Sequence, residues 1–187
     1  MELHTDIYYI QRVKAGETAC FACLIDRYSQ QVYALVRKIV VSHEDAQELT
    51  QDVFMKVFKN LSSFKGDSSF STWIYRIAYN AAISETRKKK YEYLAIEEAQ
   101  INNVTEDDLS EITGGGNKSE QVGRLEKALT MLPSEERALI LLFYMQEKSI
   151  DEIADISGLS PSNVKTKLFR IRKKLFILLN QMELEEI

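Results

Sequence analysis

Apolar residues return every three to four positions along most of the chain, and no stretch shows the alternation expected of a strand. This pattern predicts an all-α protein. A short helix over 6–14 stops at Gly16, and a longer one over 17–40 carries Phe21, Leu24, Ile25, Tyr28, Val32, Leu35 and Ile39 on one stripe. Ser42 followed by Asp45 has the form of a capping box, opening a helix to about Asn60 with Ala46, Leu49, Val53, Val57 and Leu61 inward. The loop SSFKGDSS leads into a helix from Phe70 whose apolar side is Ile74, Ile77, Ala78 and Ala81.

After Lys90 the periodicity fades. Residues 91–118 are acidic and run into TGGGNKS, whose glycines favour a flexible connection. Four more helices are expected beyond it. They open at Ser119, at Pro133 with Ser134, at Ser149 with Glu152 as a second capping box, and at Ser160 with Pro161 in the first turn. The expected organisation is a helical module over 1–90, an acidic linker over 91–118 and a second helical module over 119–187.

Composition supports a packed protein: 45% of residues are hydrophobic and 28% charged. No apolar run approaches the roughly 18 residues that span a bilayer. The opening MELHTDIYYI lacks the basic-then-apolar order of a signal peptide, so a cytoplasmic protein without membrane insertion is expected. Cys20 and Cys23 have no second pair, and His4 and His43 lack ligand spacing. They are expected to be small core thiols, with no metal or cofactor. No P-loop, HExxH or GxSxG is present, and TGGGNKS follows no strand, which argues against an enzyme.

The net charge of −4 argues against a nucleic-acid partner, but its distribution reverses that inference. Residues 1–90 carry 13 Lys/Arg against 10 Asp/Glu, while residues 91–118 carry 1 against 7. From Ile156 to Met182 there is no acid, and six basic residues fall between Lys165 and Lys174. Two basic surfaces are separated by an acidic middle.

SIDEIADISGLSPSNVKTKLFRIRKKL has the shape of a helix-turn-helix. Ala154 is small where a second helix must approach, Gly158 supplies the turn and Leu159 fills the angle. In the last helix Val164, Leu168, Ile171 and Leu175 fall within about 60° of one another. The other side presents Ser162, Asn163, Lys165, Thr166, Lys167, Phe169, Arg170 and Lys173. Donors near the start suit base edges, and cations further along suit phosphates. In FSTWIYRIAYNAAISETRKKK, the rings of Tyr75 and Tyr79 alternate with Arg76, Asn80 and Arg87. That mixture suits stacked single-stranded bases, at about 1–3 kcal/mol per base, and equally suits rings buried in a core.

AQELTQDVFMKVFKNLSSFKGDSSFSTWIYRIAYNAAISETRKKK and LPSEERALILLFYMQEKSIDEIADISGLSPSNVKTKLFRIRKKL resemble the two conserved regions of extracytoplasmic-function (ECF) sigma factors. The resemblance implies an all-α fold of a sigma-2-like and a sigma-4-like domain. It implies a transcription initiation factor that binds core RNA polymerase through the β′ coiled coil and the β subunit, and binds promoter DNA. An anti-sigma factor is a further implied partner.

On that resemblance Glu48, Gln51 and Asp52 map to the polymerase contact. Phe64, Lys65, Asp67 and Ser68 map to the loop that captures a flipped −10 base. Asn80 maps to the same pocket, and Trp73, Arg76, Arg87 and Lys88 to the adjoining DNA surface. The helix from Pro161 maps to the −35 reader. Ser84 stands where the family often has Asp; separately, SNVKTKL stands where GTVKSRL is common, so no −35 sequence preference is carried over from the family. The alternative is a stand-alone helix-turn-helix regulator, which leaves residues 42–90 without a role.

Overall fold

The apolar stripes of the sequence become the contacts between helices. The computed structural model describes residues 4–89, 96–110 and 118–185, and among these every regular element is helical. A first bundle comprises α1 (Asp6–Lys14), α2 (Phe21–Val40), α3 (His43–Asn60) and α4 (Phe70–Lys89). Two short helices follow, α5 (Glu98–Asn103) and α6 (Glu106–Ser110). A second bundle comprises α7 (Lys118–Met131), α8 (Ser134–Tyr144), α9 (Ile150–Ser157) and α10 (Pro161–Glu185).

Local chemistry accounts for most boundaries. Ser42 accepts from the Asp45 amide at 3.3 Å and so caps α3. Ser69 does the same for α4 through the Thr72 amide at 3.1 Å. A 3-10 turn over Thr18–Cys20 replaces the expected first turn of α2. Cys20 and Cys23 are free and half-buried, which corrects the expectation of core thiols: both lie at the edge of the stripe that Phe21 and Leu24 bury. The glycine tract Gly114–Gly116 and Lys90 lie outside the described residues.

In the first bundle α2 packs on α1, α3 and α4; in the second α10 packs on α7, α8 and α9. The bundles also pack on each other, α4 against α9 and α2 against α8. Their apolar residues form one continuous core, from Leu24, Leu35 and Ile74 to Leu139, Ile153 and Ile171. Burying each such side chain contributes about 2 kcal/mol.

Polar bonds reinforce the junction. Arg137 is only 3% exposed. Its Nε donates to Leu129 O at 2.7 Å, one terminal nitrogen to Thr130 O (2.6 Å) and Leu132 O (2.9 Å), and the other to Lys38 O (3.3 Å) and Ile39 O (3.1 Å). The guanidinium thus serves the carbonyl ends of α7 and α2 together, where a cation also meets the negative end of each helix dipole. Buried Thr86 stands 3.0 Å from Ser134 Oγ across the junction, and Thr72 Oγ1 donates to Glu152 Oε1 at 2.9 Å. Lys148 Nζ donates to Ser71 Oγ (2.7 Å) and to Glu152 Oε1 (2.9 Å).

Candidate nucleic-acid interface

The helix-turn-helix is assembled by its caps. Ser149 accepts from the Glu152 amide at 3.2 Å, and Glu152 Oε2 accepts from the Ser149 amide at 3.0 Å, completing the capping box of α9. Gly158 ends α9 at φ 74°, where a side chain would be strained, and its N–H donates to Ala154 O at 2.8 Å. Ser160 then accepts from the Asn163 amide at 3.3 Å and starts α10.

Val164, Leu168, Ile171 and Leu175 are buried as the spacing requires. Ser162, Asn163, Lys165, Thr166 and Lys167 are exposed, while Phe169, Arg170 and Lys173 are half-buried. Thr166 Oγ1 donates to Ser162 O at 3.1 Å, and Lys173 Nζ lies 4.8 Å from the centre of the Phe169 ring. Arg170 is engaged: its terminal nitrogens donate to both oxygens of Glu98 in α5, at 2.8 and 2.7 Å. That pair holds the Glu98 carboxyl below its ordinary range and raises Arg170.

The loop before α4 is pinned by Lys14, whose Nζ donates to Phe64 O at 2.7 Å, and it turns at Gly66 with φ 87°. Lys65 and Asp67 are exposed and Ser68 is half-buried. Phe64, mapped to the base-capturing loop, is buried in the free chain at 8% exposed. Its ring points inward because Phe70 and Trp73 close around it at 5.6 and 5.3 Å. Trp73 is half-buried, packed on the core within that cluster.

Tyr75 and Tyr79 are buried as well, which in the free chain is the core alternative for this side of α4. The second bundle covers it, and the Tyr75 hydroxyl donates to Gln146 Oε1. Burial pushes both phenols up to about 12. Arg76 is exposed beside Asp151, Asp155, Gly158 and Pro161. Asn80 and Arg87 line a cleft of about 400 Å³ together with Glu135, Leu159 and Lys167. Arg87 pairs with Glu135, and Lys88 with Glu85 at 3.1 Å. The structure therefore brings Asn80 and Arg87 of α4 to one cleft with Lys167 of α10, and leaves the loop residues Lys65 and Asp67 elsewhere.

Glu48, Gln51 and Asp52 are exposed on the side of α3 opposite Val53. Met55 (56% exposed) and Phe58 (41%) continue the same side. Sequence reading missed these two, although an apolar residue off the buried stripe was a usable signal for a partner surface.

Residues 24–91 match the family model of Sigma-70 region 2, and residues 123–175 that of Sigma-70 region 4. The chain is 32% identical over 174 residues to the ECF RNA polymerase sigma factor SigW of Bacillus subtilis, covering 89% of this chain and 92% of that protein. It is also 32% identical to the ECF RNA polymerase sigma-E factor of Escherichia coli K12, over 91% of this chain and 92% of that protein. Among solved structures it resembles sigma factor RpoE of Bartonella quintana, in complex with the anti-sigma factor NepR, with TM-score 0.64 and 25% identity over 86% and 96% of the two chains. CnrH, solved in complex with the cytosolic domain of CnrY, shares the fold at TM-score 0.69 and 22% identity over 94% and 97%. A region 2 bundle and a region 4 helix-turn-helix in one chain, with full-length similarity to both named factors, place this protein in the family of ECF RNA polymerase sigma factors.

Proposed function

We propose that the chain binds core RNA polymerase through Glu48, Gln51, Asp52, Met55 and Phe58 on α3 and carries it to promoters. The sigma-2-like domain spans 1–90, the acidic linker 91–118 and the sigma-4-like domain 119–187. The polymerase contacts are the β′ coiled coil for the first domain and the β subunit for the second. Ser162, Asn163, Lys165, Thr166, Lys167, Phe169, Arg170 and Lys173 form the −35 surface. Lys65, Asp67, Ser68, Arg76, Asn80, Arg87 and Lys88 form the −10 surface, supported from beneath by Phe64 and Trp73. The observation that carries this reading is the exposed polar start of α10, set outward by a complete capping box and Gly158.

Promoter opening follows from differential affinity. A pocket that binds an extruded base interacts with the open duplex and not with the closed one, so it shifts the equilibrium toward opening. No bond chemistry is required of the protein. It acts in the cytoplasm, where its polymerase is, and an anti-sigma factor restrains it, by analogy with the RpoE–NepR complex. No helix of the described residues is long and apolar enough to cross a membrane.

Mixing the chain with core polymerase and transcribing a fragmented genome tests the reading. A stable complex with promoter-specific run-off products is expected; absence of both would return the chain to a stand-alone regulator. Asn80→Ala should impair permanganate reactivity of promoter thymines more than formation of the closed complex. Equal loss of both steps would remove Asn80 from the pocket.

A further inference from the structure

Residues 96–110 hold five acids, Glu97, Glu98, Glu106, Asp107 and Asp108, and no base. A segment of that composition is ordinarily solvated. Here it is docked. Ile101 and Val104 are buried, at 2% and 6% exposed, and α5 and α6 both pack against α10.

The charges meet the phosphate-facing end of α10. Glu98 takes both terminal nitrogens of Arg170 in a fork, the same planar two-point geometry by which a guanidinium holds a phosphate. Lys174 adds to the positive field at Glu98, and Lys173 to that at Asp108. Those two nitrogens of Arg170 cannot serve Glu98 and a DNA phosphate at once.

We propose that α5 and α6 are a built-in competitor for DNA, standing in for backbone phosphate on Arg170 and Lys173 and closing the phosphate-contacting end of α10 in the free chain. The proposal rests on α10 being the duplex-binding helix. Because the competitor is tethered, it acts at high effective concentration, and the apparent DNA affinity is reduced to the fraction of its intrinsic value set by the share of chains in which it is undocked. Drawing residues 96–110 away from α10 during assembly with polymerase would release the helix.

The test uses the full chain without polymerase and a labelled duplex of random sequence, since phosphate contacts need no particular site. The triple variant Glu98→Gln, Asp107→Asn, Asp108→Asn should bind about tenfold tighter than wild type if the docked form dominates by about tenfold. Adding Arg170→Ala to that variant should abolish the gain. The variant Asp26→Asn, Glu44→Gln, Glu147→Gln makes the same charge change away from α10 and should gain little.

On adding DNA to wild type, the amides of α5 should lose protection from hydrogen exchange. If the control triple gains as much, or Arg170→Ala leaves the gain intact, the effect is general charge and the proposal falls. If the Glu98 triple binds as wild type does while Arg170→Ala weakens binding, the competitor is refuted and α10 keeps its role. If neither matters, the assignment of α10 itself fails. Protection of α5 that persists in the DNA complex would also overturn the proposal.

Discussion

The outer side of α3 and the sides of α4 and α10 proposed to meet DNA are all built on amphipathic helices, yet the free chain treats them differently. Glu48, Gln51, Asp52, Met55 and Phe58 stand in solvent. By contrast Tyr75 and Tyr79 are buried under the second bundle, Asn80 faces Lys167 across a cleft, and Arg170 is held by Glu98. The proposed polymerase surface is open, whereas part of each proposed DNA surface is covered by the chain itself. On the proposed assignments polymerase is met first, and the covered DNA groups only after the bundles part and α5 leaves α10.

The strongest way to break this contrast is at the junction. Arg137→Ala strips donors from buried carbonyls at the ends of both α7 and α2, and should cost on the order of 3 kcal/mol in urea unfolding. Arg137→Lys should not restore it, because a single ammonium cannot span both helix ends. A wild-type unfolding midpoint in either variant would refute the clamp. The open side of α3 predicts a smaller and separable effect. Asp52→Lys should weaken core polymerase binding about tenfold, or about 1.4 kcal/mol, with unfolding unchanged, since the residue is exposed. Unchanged affinity in a direct titration would move the polymerase surface elsewhere.

The smallest effect concerns acid. Burial works to raise the Glu152 carboxyl, but the Lys148 ammonium, the Ser149 amide and the Thr72 hydroxyl outweigh it and hold the group at about 2. A depressed folded value stabilises the folded form fully above the ordinary carboxylate range, about 4.3, and is lost as pH falls through about 2. Protection from hydrogen exchange along the α4–α9 contact, taken relative to the unfolded chain at the same pH, should therefore fall in that window. Glu152→Gln should remove the pH dependence at that contact; a wild-type response in the variant would assign the change to another acid.

The contrast also explains what was legible in the sequence. Helix α10 has one buried stripe over most of its length, so Val164, Leu168, Ile171 and Leu175 could be separated from the outward polar residues by angle alone. Helix α4 buries two sides. The second is covered by residues some 70 positions away, as the Tyr75–Gln146 and Thr72–Glu152 bonds show, and no local period encodes that. Phe64 sits in a polar loop, and only the closure of Phe70 and Trp73 turns it inward. Helices α5 and α6 are too short, at six and five residues, to generate a stripe, and they owe their place to α10.

Arg137 has a consequence for how the chain comes apart. Three of its acceptors, Leu129, Thr130 and Leu132, belong to its own bundle, and two, Lys38 and Ile39, to the other. Parting the bundles exchanges the last two for water, while the other three hold the guanidinium in its seat and keep the cap on α7. The asymmetry makes the junction a snap fastener: one half stays sewn to the cloth, and can close again unchanged.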